Sequence, residues 1–392
     1  MKIELFDSGE YRQRLARTKE KMREKGIDLL LVASPANQFY LSGYDGCSFY
    51  TPQMVVVSLQ QQEPIWFGRK MDAVGARFTV YMSEDCILAY PDNYVGSSER
   101  HPLQYLAGIL KERGWDAARI GVEMDDYYYT ARWHAILTEN LPRATFIDAF
   151  LLVNWVRMKK SEREIEYLMQ AGRIAAAAMQ AAVDKAAVGV RQCDVMAELY
   201  RVTTGGTPEI GGTFTCKPPN AMVGELCSAP HLSWSDAPLK QDEMFYIEMG
   251  GCRHRYHVPL SRCVYLGKPP AEMQRLAGII AEGLHEVLVA ARPGARCEDL
   301  EAVWKRTISK HGIEKDSRIG YPVGIGYPPT WGELTCSLRA GDKTVLENNM
   351  SFHCIPALWM DKYGLVISES FVVTDDGART FADFPRVLFS KS

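Results

Sequence analysis

The stretch Val156-Arg157-Met158-Lys159-Lys160, followed by Ser161-Glu162-Arg163-Glu164, constrains this chain more than any other. The first five residues read as a polar hinge. The next four are a capping box, with Ser161 as N-cap and Glu164 three residues on, each side chain placed to hydrogen-bond the other's backbone N–H. The helix opening there is predicted to run to about Ala187, through the small-residue stretch Ile174 to Ala182. A single hydrophobic core stops growing beyond ~250–300 residues, and this chain has 392. The hinge therefore marks a boundary, and domains 1–157 and 158–392 are expected.

Composition narrows the function classes. Hydrophobic residues make up 47% and charged residues 24%, the balance of a soluble globular protein. Lys and Arg number 45 against 48 Asp and Glu, with no basic stripe, which argues against nucleic acid as partner. Met1 to Asp7 carries charges where a signal peptide needs an apolar run. No segment approaches ~18 apolar residues. A cytoplasmic chain without a membrane partner is expected. Its ten cysteines form no CxxC pair, so neither a zinc knuckle nor a redox motif is written here, and the thiols are expected reduced.

Periodicity and flanks place the elements. Tyr11 to Lys25 reads as a charged helix and Leu29 to Ala33 as a buried strand. Met54 to Leu59, Pro64 to Phe67 and Ile120 to Glu123 read as strands, Leu103 to Arg113 and Tyr129 to Leu141 as helices. This alternation predicts an α/β N-terminal domain. Past the boundary helix, Met244 to Met249 and Arg255 to Leu266 read as strands joined through Gly250-Gly251. Helices at Ala271 to Ala291 and Cys297 to His311 follow, then strands at Met350 to Trp359 and Leu365 to Thr374.

A series of local strings, in order, points further. They are Asn37 to Tyr44, Lys160 to Ile165, Ala229-Pro230-His231, Tyr246 to Gly250, Val258 to Arg262, Gly320 to Gly324, Phe352 to Pro356 and Leu365 to Asp376. Together they resemble the creatinase/aminopeptidase P/prolidase superfamily. The resemblance implies an α/β creatinase-like N-terminal domain followed by an α+β catalytic domain of the pita-bread fold. Metallopeptidases of that superfamily hold two divalent ions with two aspartates, one histidine and two glutamates. Carried over, those positions are Glu248, Pro259, Tyr321, Ile355 and Ser368, the first two keeping the family's separation of 11 residues. One carboxylate among these residues cannot supply the donors of a dinuclear site. No metal and no other cofactor is expected, as in creatinase, the metal-free amidine-cleaving branch.

Two residues carry the expected chemistry. Glu248 lies within the apolar run Phe245 to Met249. A carboxylate there can attack an electrophilic carbon, act as base toward water, or pair with a cationic substrate; a structural, hydrogen-bonded carboxylate is the alternative. His231 follows Pro230 in a loop, where an imidazole can protonate a leaving nitrogen and retrieve the proton from water. The resemblance favours the catalytic reading of both. Substrate contacts are expected from Tyr321, Trp331, Glu333, Glu369, His257 and His353, with Tyr327 and Trp359 as further aromatic faces. Arg262 and Arg339 are candidates for gripping a substrate carboxylate. His254, near a hairpin turn, is expected to be solvated. Glu369 adjoins Ser368, and because strand neighbours face opposite ways its direction is open.

Longer strings are more specific: Tyr44 to Tyr50, Glu63 to Arg69, Tyr90 to Asp92, Arg100 to Pro102, Ser228 to Trp234, Tyr256 to Arg262, Gly312 to Arg318 and Tyr327 to Glu333. They resemble the ectoine-hydrolysing enzymes of the metal-free branch. That resemblance implies ring opening of the cyclic amidine ectoine to N-acetyl-2,4-diaminobutyrate, with 5-hydroxyectoine as second substrate. It also implies a homodimer, in which Phe49 and Tyr50 of one subunit are candidates to reach the partner's active site. Creatine cleavage is the rival within the branch, although creatinase-like chains place glutamates where Ser261 and Ile355 stand. A non-enzymatic pita-bread module binding a peptide or protein is the rival from another class.

Overall fold

The computed structural model describes residues 2–391. The chain forms two compact units, one ending at Arg157 and the other beginning at Met158.

In the first unit, Asp7 caps the helix Ser8–Glu24 by accepting the Glu10 N–H, satisfying one of the donors a helix start leaves open. Six strands follow: β1 (Leu29–Val32), β2 (Met54–Ser58), β3 (Ile65–Arg69), β4 (Ile87–Tyr90), β5 (Arg119–Val122) and β6 (Thr145–Asp148). They form one sheet in the order β4-β3-β2-β1-β5-β6. β2 is antiparallel to β1 and β3, and the remaining pairs are parallel. Alternate residues Leu29, Leu31, Met54, Val56, Ile65 and Phe67 share a core with Leu103, Leu106, Leu110, Ile136 and Leu137. That period of two packs one sheet face against the helices Pro102–Glu112 and Ala131–Asn140. The segment Asn37 to Tyr44, read only as a family string, is mostly the helix Pro35–Ser42, closed by Gly43 at φ 84°, a conformation that favours glycine.

In the second unit the capping box forms in full. Ser161 Oγ accepts the Glu164 N–H at 3.2 Å, and Glu164 accepts the Ser161 N–H at 2.9 Å. It opens the helix Glu162–Lys185. The strands are β7 (Asn220–Val223), β8 (Met244–Arg253), β9 (Tyr256–Leu266), β10 (Gly320–Tyr327), β11 (Thr330–Gly332), β12 (Ser351–Cys354), β13 (Ala357–Trp359), β14 (Gly364–Val366), β15 (Glu369–Thr374), β16 (Gly377–Thr380) and β17 (Phe389–Lys391). Nine belong to one sheet, whose path is β16-β15-β12-β10-β9-β8-β7, with β11 on β10 and β17 on β9.

Two expectations need correction. Gly250-Gly251 does not join β8 to β9 but lies inside β8, paired with Val258 and Pro259. A Cβ on Gly251 would stand 2.1 Å from the Ala171 carbonyl, so the glycine is there to let the alanine-rich helix approach the strand. The actual turn is His254-Arg255, both at positive φ (47° and 69°). The Arg255 guanidinium stacks on Phe214 at 4.0 Å and Tyr327 at 4.7 Å, and His254 packs edge-on against Tyr167 at 4.8 Å. Second, each strand read near the C-terminus is two strands. Met350 to Trp359 breaks at Ile355-Pro356, and Leu365 to Thr374 at Ile367-Ser368. β13 and β14 pair only with each other. Pro356, which cannot donate to a ladder, lies in the break between β12 and β13. Among the described residues no helix is long and apolar enough to cross a membrane.

Candidate active site

Two cavities of 210 and 440 Å³ in the second unit share four lining residues: His231, Glu248, Arg318 and Tyr321. Glu248 comes from β8, opposite Asn220 of β7 and Ser261 of β9. Asn220 Nδ2 donates to Glu248 Oε2 at 2.8 Å, and the Tyr246 hydroxyl donates to the same oxygen at 2.8 Å. Tyr246 is two residues away on one strand, hence on the same face. Burial first, then the Glu248 charge, raises the Tyr246 phenol well above its ordinary pKa, so it stays a neutral donor. Among the described residues both hydrogen bonds fall on Oε2, which leaves Oε1 for the cavity. His231 is exposed, in the loop after the short helical turn Gly224–Ser228, and lines both cavities.

Tyr321 stands on β10 and Trp331 on β11. The Trp331 indole N–H donates to the Tyr321 oxygen at 3.0 Å. His353 Nδ1 lies 3.1 Å from that oxygen, and its Nε2 lies 2.9 Å from Ser368 Oγ. Burial holds the His353 pKa near about 3, with Lys217 and Arg262 adding to the effect, so the ring is neutral. Cations surround this wall. Arg318 sits 5.0 Å over the Tyr321 ring and Lys217 Nζ 4.3 Å over Trp331. Lys315 lines the smaller cavity and donates to the Ala357 carbonyl; burial lowers its pKa to about 8. Trp359 also lines the smaller cavity, edge-on to Tyr246 at 6.0 Å.

Several side chains expected here are occupied elsewhere. His257 is fully buried; its Nε2 accepts the Cys216 N–H at 3.0 Å and its Nδ1 meets the Arg255 carbonyl at 2.7 Å. Burial lowers its pKa to about 4. It orders two backbone segments and does not line either cavity. Glu333 is no cavity residue either: it pairs with Lys160 at 2.6 Å, both side chains 1% exposed. Glu369 pairs with Arg262 at 2.7 Å and Arg386 at 3.3 Å. It sits opposite Cys354 in the ladder, and its neighbour Ser368 turns instead to His353, as alternation requires. Arg262 is fully buried, held by Glu369 and by the carbonyls of Ser261, Ser368, Phe384 and Pro385, which removes it as a grip for substrate. Arg339 is exposed and lines neither cavity. Tyr327 belongs to the Arg255 stack. His353 stands behind Tyr321 without lining a cavity. In the first unit, Phe49 packs edge-on against Tyr128 at 5.4 Å and Tyr50 is 78% exposed.

Lys217, Asn220, Lys315 and Arg318 were missed. Lys315 and Arg318 lie within the string Gly312 to Arg318, so a signal existed: two cations in a stretch already singled out. Asn220 becomes visible only when β7 is registered on β8.

The five positions at which the metallopeptidases ligate metal do not fit a dinuclear centre. Pro259 and Ile355 have no side-chain donor, Tyr321 takes Trp331 and His353, and Ser368 Oγ takes the Ser261 N–H. Among the described residues no three His, Cys, Asp or Glu side chains are grouped to hold an ion.

Comparison with known proteins agrees with this architecture. Residues 166–375 match Metallopeptidase family M24, and residues 14–159 match the Creatinase/Prolidase N-terminal domain. The chain is 45% identical to an uncharacterized hydrolase/peptidase of Sinorhizobium fredii over 100% of both chains. It is 43% identical to an ectoine hydrolase of Halomonas elongata over 98% of both. A solved prolidase from Thermococcus sibiricus matches with a TM-score of 0.83 at 17% identity, over 98% of this chain and 100% of that one, a likeness of fold alone. A creatinase-type N-terminal unit, a pita-bread second unit and two such full-length relatives make this chain a hydrolase of the M24 family.

Proposed function

We propose that this hydrolase opens the ring of a small cyclic amidine carrying a carboxylate, with ectoine as substrate, 5-hydroxyectoine as a second, and no metal ion. The observation that carries the reading is the charge pattern of the two cavities: one carboxylate, Glu248, faced by Lys217, Lys315 and Arg318. A protonated amidine is a delocalised cation, suited to a carboxylate and to aromatic faces such as Tyr321 and Trp331. The substrate's own carboxylate would meet the cations, Arg318 first, because a guanidinium binds a carboxylate through paired donors. The identity to the Halomonas elongata ectoine hydrolase supports the choice of substrate, and the mismatched donor set supports metal independence.

In this reading Glu248 Oε1 attacks the amidine carbon, and once the ring nitrogen has left, water adds to that carbon and breaks the new C–O bond to release the carboxylate; or Glu248 takes the proton of a water that attacks directly. His231 protonates the departing ring nitrogen and regains its proton from water. The product is N-acetyl-2,4-diaminobutyrate. The homodimer belongs to the same reading, with Phe49 and the exposed Tyr50 as the side chains offered to a partner; sedimentation of the purified protein tests it.

The deciding experiment is ectoine with purified protein, followed by proton NMR, with metal content measured on the same sample. Ring opening without stoichiometric metal is expected. Intact ectoine would overturn the substrate. Activity lost to a chelator and restored by manganese, zinc or cobalt would overturn metal independence.

A further inference from the structure

A chain of side chains behind the cavity wall has a direction. The Ser261 N–H donates to Ser368 Oγ at 2.8 Å. Ser368 Oγ lies 2.9 Å from His353 Nε2, and His353 Nδ1 lies 3.1 Å from the Tyr321 oxygen. The Trp331 indole N–H, which can only donate, takes the same tyrosine oxygen at 3.0 Å.

Two proton arrangements are conceivable for a neutral imidazole. In the first, Ser368 donates to Nε2, Nδ1–H donates to Tyr321, and the tyrosine proton is left for the cavity. In the second, Tyr321 donates to Nδ1, Nε2–H donates to Ser368, and the serine proton needs another acceptor. Ser368 is fully buried, and among the described residues its Oγ meets only the Ser261 N–H and His353. The second arrangement orphans a buried hydroxyl, which is costly enough to select the first. The ring is fully buried, and among the described residues its nitrogens meet only the hydroxyl oxygens of Tyr321 and Ser368, an environment that opposes the remaining alternative, an imidazolium.

We infer that Tyr321 is a catalytic hydrogen-bond donor, its hydroxyl aimed into the cavity by Ser368 and His353 acting as positioning residues. Two donors occupy the lone pairs of its oxygen, so its own O–H points forward. Tyr321 lines both cavities with Glu248 and His231.

What it meets follows from the proposed reaction, on which this inference rests. As the attacking oxygen bonds to the amidine carbon, the C=N π pair becomes a lone pair on a ring nitrogen. An amidinium nitrogen has no such lone pair to offer before attack. The Tyr321 O–H therefore finds its acceptor only as the tetrahedral centre forms, and the interaction favours the transition state over the bound substrate. The tyrosine proton is shared and not transferred. The proton gained by the departing nitrogen comes from His231.

Tyr321→Phe removes the hydroxyl and little else. The expected loss in kcat is on the order of 10²–10³-fold, the scale for one preorganised donor, with KM changing by less than about threefold. The relay is read separately by ¹⁵N-histidine NMR, with the His353 signal assigned through its absence in His353→Gln. Wild-type protein should carry the proton on Nδ1. Ser368→Ala should lower kcat by removing the donor that holds Nε2 as an acceptor, and Ser368→Thr should restore it. Near-normal kcat in Tyr321→Phe, or an Nε2–H tautomer in the wild type, overturns the inference. The tautomer needs no substrate, so it still decides the relay if ectoine proves not to be turned over.

Discussion

Glu123 of the first unit and Glu248 of the second are both buried carboxylates held by an asparagine, and they do opposite things. Glu123 is saturated. Its Oε2 accepts the Ala33 and Ser34 N–H groups at 2.7 and 2.8 Å, and its Oε1 accepts Asn37 Nδ2 at 2.6 Å. Asn37 is itself fixed by Asn154 at 2.8 Å and Arg157 at 2.9 Å. Glu248 takes two donors on one oxygen and lines open space with the other. A buried acid therefore marks a site only when part of its hydrogen-bonding capacity is left for something else. Volume does not mark one either. The first unit holds a larger cavity, 740 Å³, lined in part by Arg12, Lys19, Glu63 and Arg113. Its Glu63 takes the backbone N–H and hydroxyl of Ser83 on Oε2 alone, much as Glu248 takes its donors, but among the described residues no histidine or tyrosine stands in that cavity's lining.

The sharpest break of this comparison is a matched pair of amides. Glu248→Gln should lower kcat by on the order of 10³-fold or more, since it removes the nucleophile or base and keeps the shape. Near-normal turnover would remove Glu248 from the mechanism. His231→Ala should cost on the order of 10²–10⁴-fold, the range of general acid–base catalysis; a change within about threefold would reassign its role.

Arg318→Ala should act on binding instead. Losing a charge-assisted contact is worth about 1.5–3 kcal/mol, which predicts KM for ectoine raised roughly 10- to 100-fold with a smaller change in kcat. An unchanged KM would move the carboxylate to Lys217 or Lys315. In the first unit, Glu123→Gln should leave kcat/KM within about threefold. It should cost about 1–3 kcal/mol of stability, because an amide N–H₂ is forced against backbone donors. A denaturation midpoint equal to wild type would show that the saturated network is not stabilising.

The buried pair His257 and His353 should also answer pH in the opposite direction to Glu123. His257 and His353 have folded pKa values of about 4 and about 3, against an ordinary 6.5. Between those values the unfolded chain binds more protons than the fold. Their contribution is fully present above about pH 6.5 and falls on acidification, by about 1.4 kcal/mol per pH unit for each histidine. Burial, then the Asp126 charge, raises Glu123, so its contribution weakens as pH rises above the ordinary carboxylate range. Hydrogen exchange in β8 and β1, corrected for the intrinsic rate, reads the two separately. Parallel trends in both strands would break the contrast.

Much of this was legible because it is local. The Ser161–Glu164 box depends on four consecutive residues. The apolar run around Glu248 declares a buried strand, and the Pro230-His231 string places an imidazole in a loop. The misreadings share a cause. Glu369, Glu333 and His257 look like free polar groups until Arg262, Lys160 and the Cys216 N–H are brought to them from 107, 173 and 41 residues away. Gly250-Gly251 looks like a turn until Trp331 and the alanine-rich helix are packed against it.

The sequence by itself determined the boundary helix, several other long helices and apolar strands, the residue types at the positions carried over from the metallopeptidases, and the presence of one carboxylate and one imidazole for chemistry. Only the tertiary structure decided which charges were spent on each other and which were left for a ligand. The reason is physical: propensity and capping act over a few residues. Whether a polar group is satisfied depends on strand register and on partners far along the chain. The direction of the Tyr321 hydroxyl, set by a serine 47 residues away in sequence, belongs wholly to the second class.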